Sequence, residues 1–464
     1  MISNTNLRSG IGRLTLDQML RQNAQRFGDT QALVDAPDRP LWADGPPRRM
    51  NWAQVDAAVS SVAGRFFEMG LPSEAVVCVQ GLNISDTLIA ILGCIRAGLV
   101  VAVVPVGFDA AETVATAERL GAKAIMSARK IGQEQPLRIL RHLTNESVAD
   151  IRFVGAFGAD LPGGIVSFED CIAFPKGGAV TRLSRRNNPL DNLAIITIDR
   201  TPDVSFAVAR SHGQWIAAGS LFADGLQLTR VSRLLVAMMP TRLAGLASGM
   251  VPWLMSGCLL VLHQAFDSMV MGVQMGMHGV THAVLPEIAL QAALADNLLA
   301  FKKLAAVAAV TREPHRTAVL PDSGTRLPHF AAFGEVGVAP LVPQPGGQWK
   351  VPAYLPSAGE DSPALIETAI DEQGYLALRG EQVSQAGHDV GEGQMPYPLM
   401  QDGWVMAWYP AMLAEDGVVV TGKRFGPSSF ATAMFEGVAP TVIGGPDVDF
   451  GQDGTSRRVI AGAA

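Results

Sequence analysis

Short β-branched or apolar runs alternate with amphipathic helical stretches along most of this chain, and that alternation limits the folds open to it. Trp52–Met69 carries apolar residues at helical spacing and stops at Gly70. Ala75–Val79 is a strand-like run, Asp86–Ala97 is helical up to Gly98, and Val100–Val104 is a β-branched strand closed by Pro105. Helix then strand recurs at Ala110–Leu120 and Ala124–Met126, and the alternation resumes after Asn192 with a strand at Leu193–Ile198 and a helix at Gln214–Leu226. Such short-period alternation predicts α/β units around largely parallel sheets. From about Pro340 the strands shorten and are separated by Gly, Pro and acidic turns, which predicts an antiparallel, barrel-like part.

Composition narrows the function classes. Apolar residues make up 48% and charged residues 17% of 464 residues, enough for a large core and too apolar for disorder. The formal charge of −7 is spread without blocks, so no nucleic-acid footprint is expected. Arg182, Arg185 and Arg186 read as a solvated linker. The four cysteines, Cys78, Cys94, Cys171 and Cys258, lie far apart in apolar runs and read as reduced and cytoplasmic. The longest apolar stretches are interrupted by Arg96 and Arg242, so no membrane span is expected. His278 and His282 are four apart, but Gly279 between them favours a helix end over a metal site. No G-x-S-x-G elbow surrounds any serine, which argues against a hydrolytic set of Ser205, His212 and Asp203. No metal ligand and no catalytic residue is assigned.

The segment MNWAQVDAAVSSVAGRFFEMGLPSEAVVCVQGLNISDTLIAILGCIRAGLVVAVVPV resembles the opening of the adenylate-forming superfamily, which includes acyl-CoA synthetases. Arg96, Ala97, Gly98 and Pro105 fall on its K-A-G-x-x-x-V-P pattern. ARSHGQWIAAG, HGVTHAVLPEIALQAAL and QDGWVMAWYPAMLAEDGVVVTGK resemble later segments, so the likeness spans about residues 14–445. It implies an acyl-CoA synthetase-like large domain, with α/β subdomains at 1–190 and 191–338, a β-barrel-like subdomain at 339–422 and a remnant of the C-terminal lid at 423–464. It also implies ATP-dependent acyl-adenylate formation, which the aligned residues do not support.

At the phosphate loop, Ile198–Ala207 reads I-D-R-T-P-D-V-S-F-A. Arg200, Asp203 and Ala207 replace glycines, Phe206 replaces the lysine, and of the pattern's paired threonines Thr201 stays while the next is Pro202. Asp199 and Asp203 bring carboxylates to the place of phosphate. Each such charge pair at about 5 Å repels by roughly 3 kcal/mol at an effective dielectric near 20. At the magnesium turn, Val336 and Gly337 replace threonine and glutamate beside Glu335. At the ribose clamp, T-G-D becomes Ala407, Trp408 and Tyr409, and a phenol cannot accept two hydroxyls as a carboxylate does. Lys423 replaces the hinge arginine, Leu243 replaces a substrate-facing histidine, and no lysine follows Lys423. Loss of ATP and magnesium binding is therefore expected, and with it a pseudoenzyme serving as scaffold, partner or ligand-binding protein. The family resemblance suggests an acyl carrier protein, an active synthetase or a second copy as partner. Two alternatives stand beside this. One is a re-purposed pocket for a small acyl or aromatic acid, thioester or acyl-adenylate, using Arg210, His212, Glu335 and Trp408. The other is an acyl-CoA ligase with displaced motifs.

Overall fold

The computed structural model describes residues 14–147, 149–175, 188–200, 205–264, 266–296, 304–314, 325–345, 347–357, 363–384 and 400–424, with short strands at Val448–Phe450 and Ser456–Arg458. Helices begin where side chains can satisfy the first free N–H groups. Thr15 with Gln18 opens α1 (Leu16–Phe27), and Asn51 with Gln54 opens α2 (Trp52–Glu68), each as a reciprocal capping box. The helix α3 (Ser85–Arg96) is buried on every side, which fits its near-continuous apolar sequence.

Strands β1 (Gln31–Val34) and β2 (Arg49–Asn51) come first in the chain. The next seven are β3 (Val76–Gln80), β4 (Val100–Val104), β5 (Ala124–Ser127), β6 (Phe153–Ala156), β7 (Ile165–Ser167), β8 (Leu193–Arg200) and β9 (Ser205–Ser211). These seven form one sheet in the order β7-β6-β5-β3-β4-β8-β9. It is parallel except for the β8–β9 hairpin. Val and Ile dominate its central strands because both faces are covered.

A second sheet is built on β10 (Arg233–Val236), β11 (Leu259–Leu262), β12 (His282–Pro286), β13 (Ala306–Thr311) and β14 (His329–Phe333), all parallel. It continues antiparallel through β15 (Gly337–Pro343), β16 (Trp349–Pro352), β17 (Tyr354–Leu355), β18 (Ile366–Ile370), β19 (Tyr375–Arg379), β20 (Val405–Ala414) and β21 (Gly417–Val420). The switch to antiparallel pairing near Pro340 matches the change in sequence texture.

Sheet membership does not follow the expected spans. Strands β1 and β2 pair into the second sheet, β1 lying parallel to β11. Strands β8 and β9, from the span assigned to the second unit, close the edge of the first. Each exchange buries an apolar strand that local pattern alone could not allocate. Most of the span read as a lid remnant lies outside the described residues.

Between the sheets lies the main core, where Trp52 stacks on Trp253 with centroids 4.7 Å apart. Polar ties cross it as well. Asn83, in the loop after β3, donates through Nδ2 to the carbonyls of Val236 (2.9 Å) and His263 (2.8 Å) on the second sheet. Arg39 is buried between Asp35 (2.5 Å) and Asp86 (2.6 Å). These fixed links hold the carboxyl ends of both sheets toward a common region. Among the described residues, no helix is long and apolar enough to cross a membrane.

Candidate functional site

Asp199 stands on β8, in the β8–β9 hairpin read from the sequence as the counterpart of a phosphate loop, and its side chain has no solvent exposure. Both carboxylate oxygens are taken by the guanidinium of Arg424, at 2.6 and 2.7 Å. The backbone N–H of Glu335 adds a third bond at 3.0 Å. Burial alone would raise the Asp199 pKa. The charges of Arg424 and Arg312 and these hydrogen bonds outweigh burial and hold it at about 2. A bidentate, fully ionised pair therefore fills the space.

Glu335 is equally buried and turns toward the second sheet. Its Oε2 accepts the Leu243 N–H at 2.6 Å, and its Oε1 lies 3.6 Å from Arg242 Nη1. Burial raises its pKa while Arg242 opposes that shift. Arg242 also donates to the carbonyl of Ile198 at 2.9 Å, tying the start of the helical stretch at Leu243 to β8. Val336 is buried, and Gly337 opens β15 opposite Phe333.

The segment Ala407–Tyr409, read from the sequence as the counterpart of a ribose clamp, brings aromatic rings to this region. Tyr409 is buried edge-on to Phe333, centroids 5.3 Å apart, and its hydroxyl bonds Arg312. Trp408 stacks on Phe206 at 5.5 Å, and the Arg424 guanidinium lies 5.5 Å from the Trp408 ring centre. Trp408 has φ +57°, a conformation that favours glycine. It sits where the family pattern T-G-D has its glycine, inside a bulge at which β20 leaves β19 for β21. Holding a tryptophan in this conformation costs about 1–3 kcal/mol.

Of the residues read from sequence, the structure brings together Asp199, Phe206, Glu335, Val336, Trp408 and Tyr409. Arg200 ends β8, while Thr201 and Asp203 lie outside the described residues. Lys423 faces outward, 3.6 Å from Glu313. Its neighbour Arg424 enters the site instead, because alternation along an extended segment sends adjacent side chains to opposite sides.

Two members of the suggested re-purposed pocket are placed elsewhere. Arg210 donates to the carbonyls of Glu335, Val336 and Gln382, at 2.5 to 3.0 Å, and so clamps two loops. His212 opens α4 (His212–Leu226), which Ser211 and Gln214 cap. Its Nδ1 faces the Leu16 N–H at 3.4 Å, at the start of α1. Sequence reasoning missed Arg242, Arg312 and Arg424. Each lies beside a motif position, and only the three-dimensional pairing shows its role. Among the described residues no group of His, Cys, Asp and Glu could hold a metal ion.

Gly334 makes this packing sensitive to one methyl group. Its φ is +59°, and an added Cβ would meet Arg424 Nη1 and, at 2.6 Å, Asp199 Oδ2. Gly334→Ala is therefore expected to cost at least about 2 kcal/mol, from backbone strain and overpacking together. Urea unfolding monitored by tryptophan fluorescence would measure it.

Residues 20–170 match the AMP-binding enzyme family model. The likeness in fold extends over most of the chain. MbtA from Mycobacterium smegmatis superposes with a TM-score of 0.67 at 19% identity, covering 90% of this chain and 78% of MbtA. The anthranilate CoA ligase AuaEII, in complex with anthranoyl-AMP, gives 0.65 at 14%, with 90% and 78% covered. The N-terminal domain of FACL13 from Mycobacterium tuberculosis gives 0.63 at 13%, covering 89% of this chain and all of that domain. The chain has the adenylate-forming fold. The family-model match falls within the first part of that fold. No curated protein matches the chain. Within this adenylate-forming fold, the Asp199–Arg424 pair lies where β8, the turn at Glu335 and the bulge of β20 converge.

Proposed function

We propose that this chain is a superfamily member that forms no acyl-adenylate and acts as a scaffold, partner or ligand-binding protein in acyl or carboxylic-acid metabolism. One observation carries the reading: the buried, bidentate Asp199–Arg424 pair beneath Trp408. A nucleotide phosphate seated there must displace that carboxylate from its guanidinium. Separating a buried pair costs about 3–5 kcal/mol, because one ion is left uncompensated. The rings of Phe206, Trp408 and Tyr409 add bulk at the sugar position. AuaEII is described with an acyl-adenylate bound; here charge and volume both oppose such a ligand.

The test is pyrophosphate release with Mg-ATP and a panel of aliphatic and aromatic carboxylic acids. The expected result is no release above a no-enzyme control. Turnover with any acid, lost in Asp199→Ala, would replace this reading with that of a ligase whose motifs have moved.

A further inference from the structure

The helix α5 (Ser268–His278) contains no Asp, Glu, Lys or Arg, although one side of it faces solvent. Met271, Gln274, Met275 and His278 are buried against the body of the protein. The outward side carries Met269, Val273 and Met277, exposed by 77%, 53% and 55%. Gly272 and Gly276 lie on the same side, given about 100° of rotation per residue, and leave bare backbone between the larger side chains. A solvent-facing helix ordinarily carries charge on its outer face. Contiguous exposed apolar surface of this kind is a mark of interaction faces.

The charges at its two ends select the occupant. Asp267 caps the N-terminal end, accepting the Val270 N–H at 2.9 Å. Arg49, on the edge strand β2, lies at the C-terminal end with Nη2 2.9 Å from Met277 Sδ. The stripe thus runs from negative to positive over about 12 Å, at 1.5 Å rise per residue. We propose that two copies of this chain pair through α5 about a two-fold axis, with the helices antiparallel. Val273 then lies near the axis, and each Arg49 comes opposite Asp267 of the other copy. The helix dipoles also oppose favourably in that arrangement. An anionic membrane would meet Asp267 at one end of the stripe and is disfavoured. The inference identifies a self-association face for the partner-binding role proposed above, and it stands on surface chemistry away from the nucleotide site.

Sedimentation of the full chain across the micromolar range tests it. A dimer is expected, and Val273→Glu raises its dissociation constant at least about a hundredfold by burying an unpaired charge. Thermal unfolding of the diluted monomer should be the same for both proteins, since Val273 is exposed. Arg49→Gln and Asp267→Ser, the latter keeping a capping oxygen, should each weaken the dimer. Their combination should weaken it no more than either alone.

Orientation is read by oxidation. Val273→Cys should cross-link to itself, and Met269→Cys only to Met277→Cys, the native cysteines being buried. A monomer at every concentration, a dimer indifferent to Val273→Glu, or a Met269→Cys protein that cross-links to itself would overturn the proposal. So would flotation of the chain with anionic vesicles through the same stripe. Nucleotide titration of Val273→Glu separates this result from the reading of the site, because neither depends on the other.

Discussion

Replacing Arg424 with alanine should lower the unfolding free energy by about 3–5 kcal/mol, the cost of leaving a buried charge without its partner. The guanidinium takes both oxygens of a carboxylate that has no exposure to water. Arg424 also donates from Nε to the carbonyl of Ala407 at 3.2 Å, so its loss loosens the bulge that carries Trp408. Asp199→Asn combined with Arg424→Leu removes both charges and should recover much of the loss. Lys423→Ala is the contrasting case. Its ammonium is half exposed and 3.6 Å from Glu313, so the change should stay within about 0.5 kcal/mol. Urea midpoints for the four proteins would decide the matter. Equal effects at Lys423 and Arg424 would mean that the two exchange places in solution.

Acidification should produce the second large effect, well above the range in which most carboxylates titrate. Burial lowers the pKa of His212 to about 4, and His329, packed on Trp349 at 4.3 Å, is lowered to about 4 as well. Both are neutral when folded at pH 6.5, whereas the unfolded chain begins to take up protons there. Stability therefore falls as pH drops from about 6.5 to about 4, by roughly 3 kcal/mol per histidine, and levels off below. Glu335 acts in the opposite sense. Its raised pKa makes its ionised form costly when folded, so acid relieves part of the loss. Asp199, held at about 2, contributes stability above its ordinary value that is lost only as pH falls from near 4 toward 2. Urea titrations at pH 7, 5.5 and 4.5 should show a progressive loss. His212→Gln should flatten that slope in part, leaving the contributions of His329 and of His263, His278 and His282, whose pKa values burial also lowers.

The parallel sheets were legible because strands such as Val100–Val104 are continuous β-branched runs, and periodicity reports such burial directly. Which sheet receives a strand was not legible. Gln31–Val34 carries no mark that sends it to the far side of the core beside Leu259–Leu262. At the site, Asp199, Phe206, Trp408 and Tyr409 could be placed from their spacing around segments that resemble the family pattern, such as Arg210-Ser211-His212-Gly213. That the Asp199 carboxylate would meet a guanidinium 225 residues away could not be seen. The sequence suggested a site hostile to phosphate through repulsion. In the fold, Asp199 is already neutralised, and the obstacle becomes a salt bridge that must be broken. Arg210 and His212 show the converse. Both read as pocket residues, and both are taken up by backbone groups of neighbouring segments.

The most direct measurement is calorimetric titration of the full chain with Mg-ATP, repeated with AMP to remove the polyphosphate charge. With Asp199 locked to Arg424 under Trp408, neither titration should give heat beyond dilution at micromolar protein. Saturable micromolar binding of Mg-ATP, weakened when Tyr409 is replaced by alanine, would contradict a closed site.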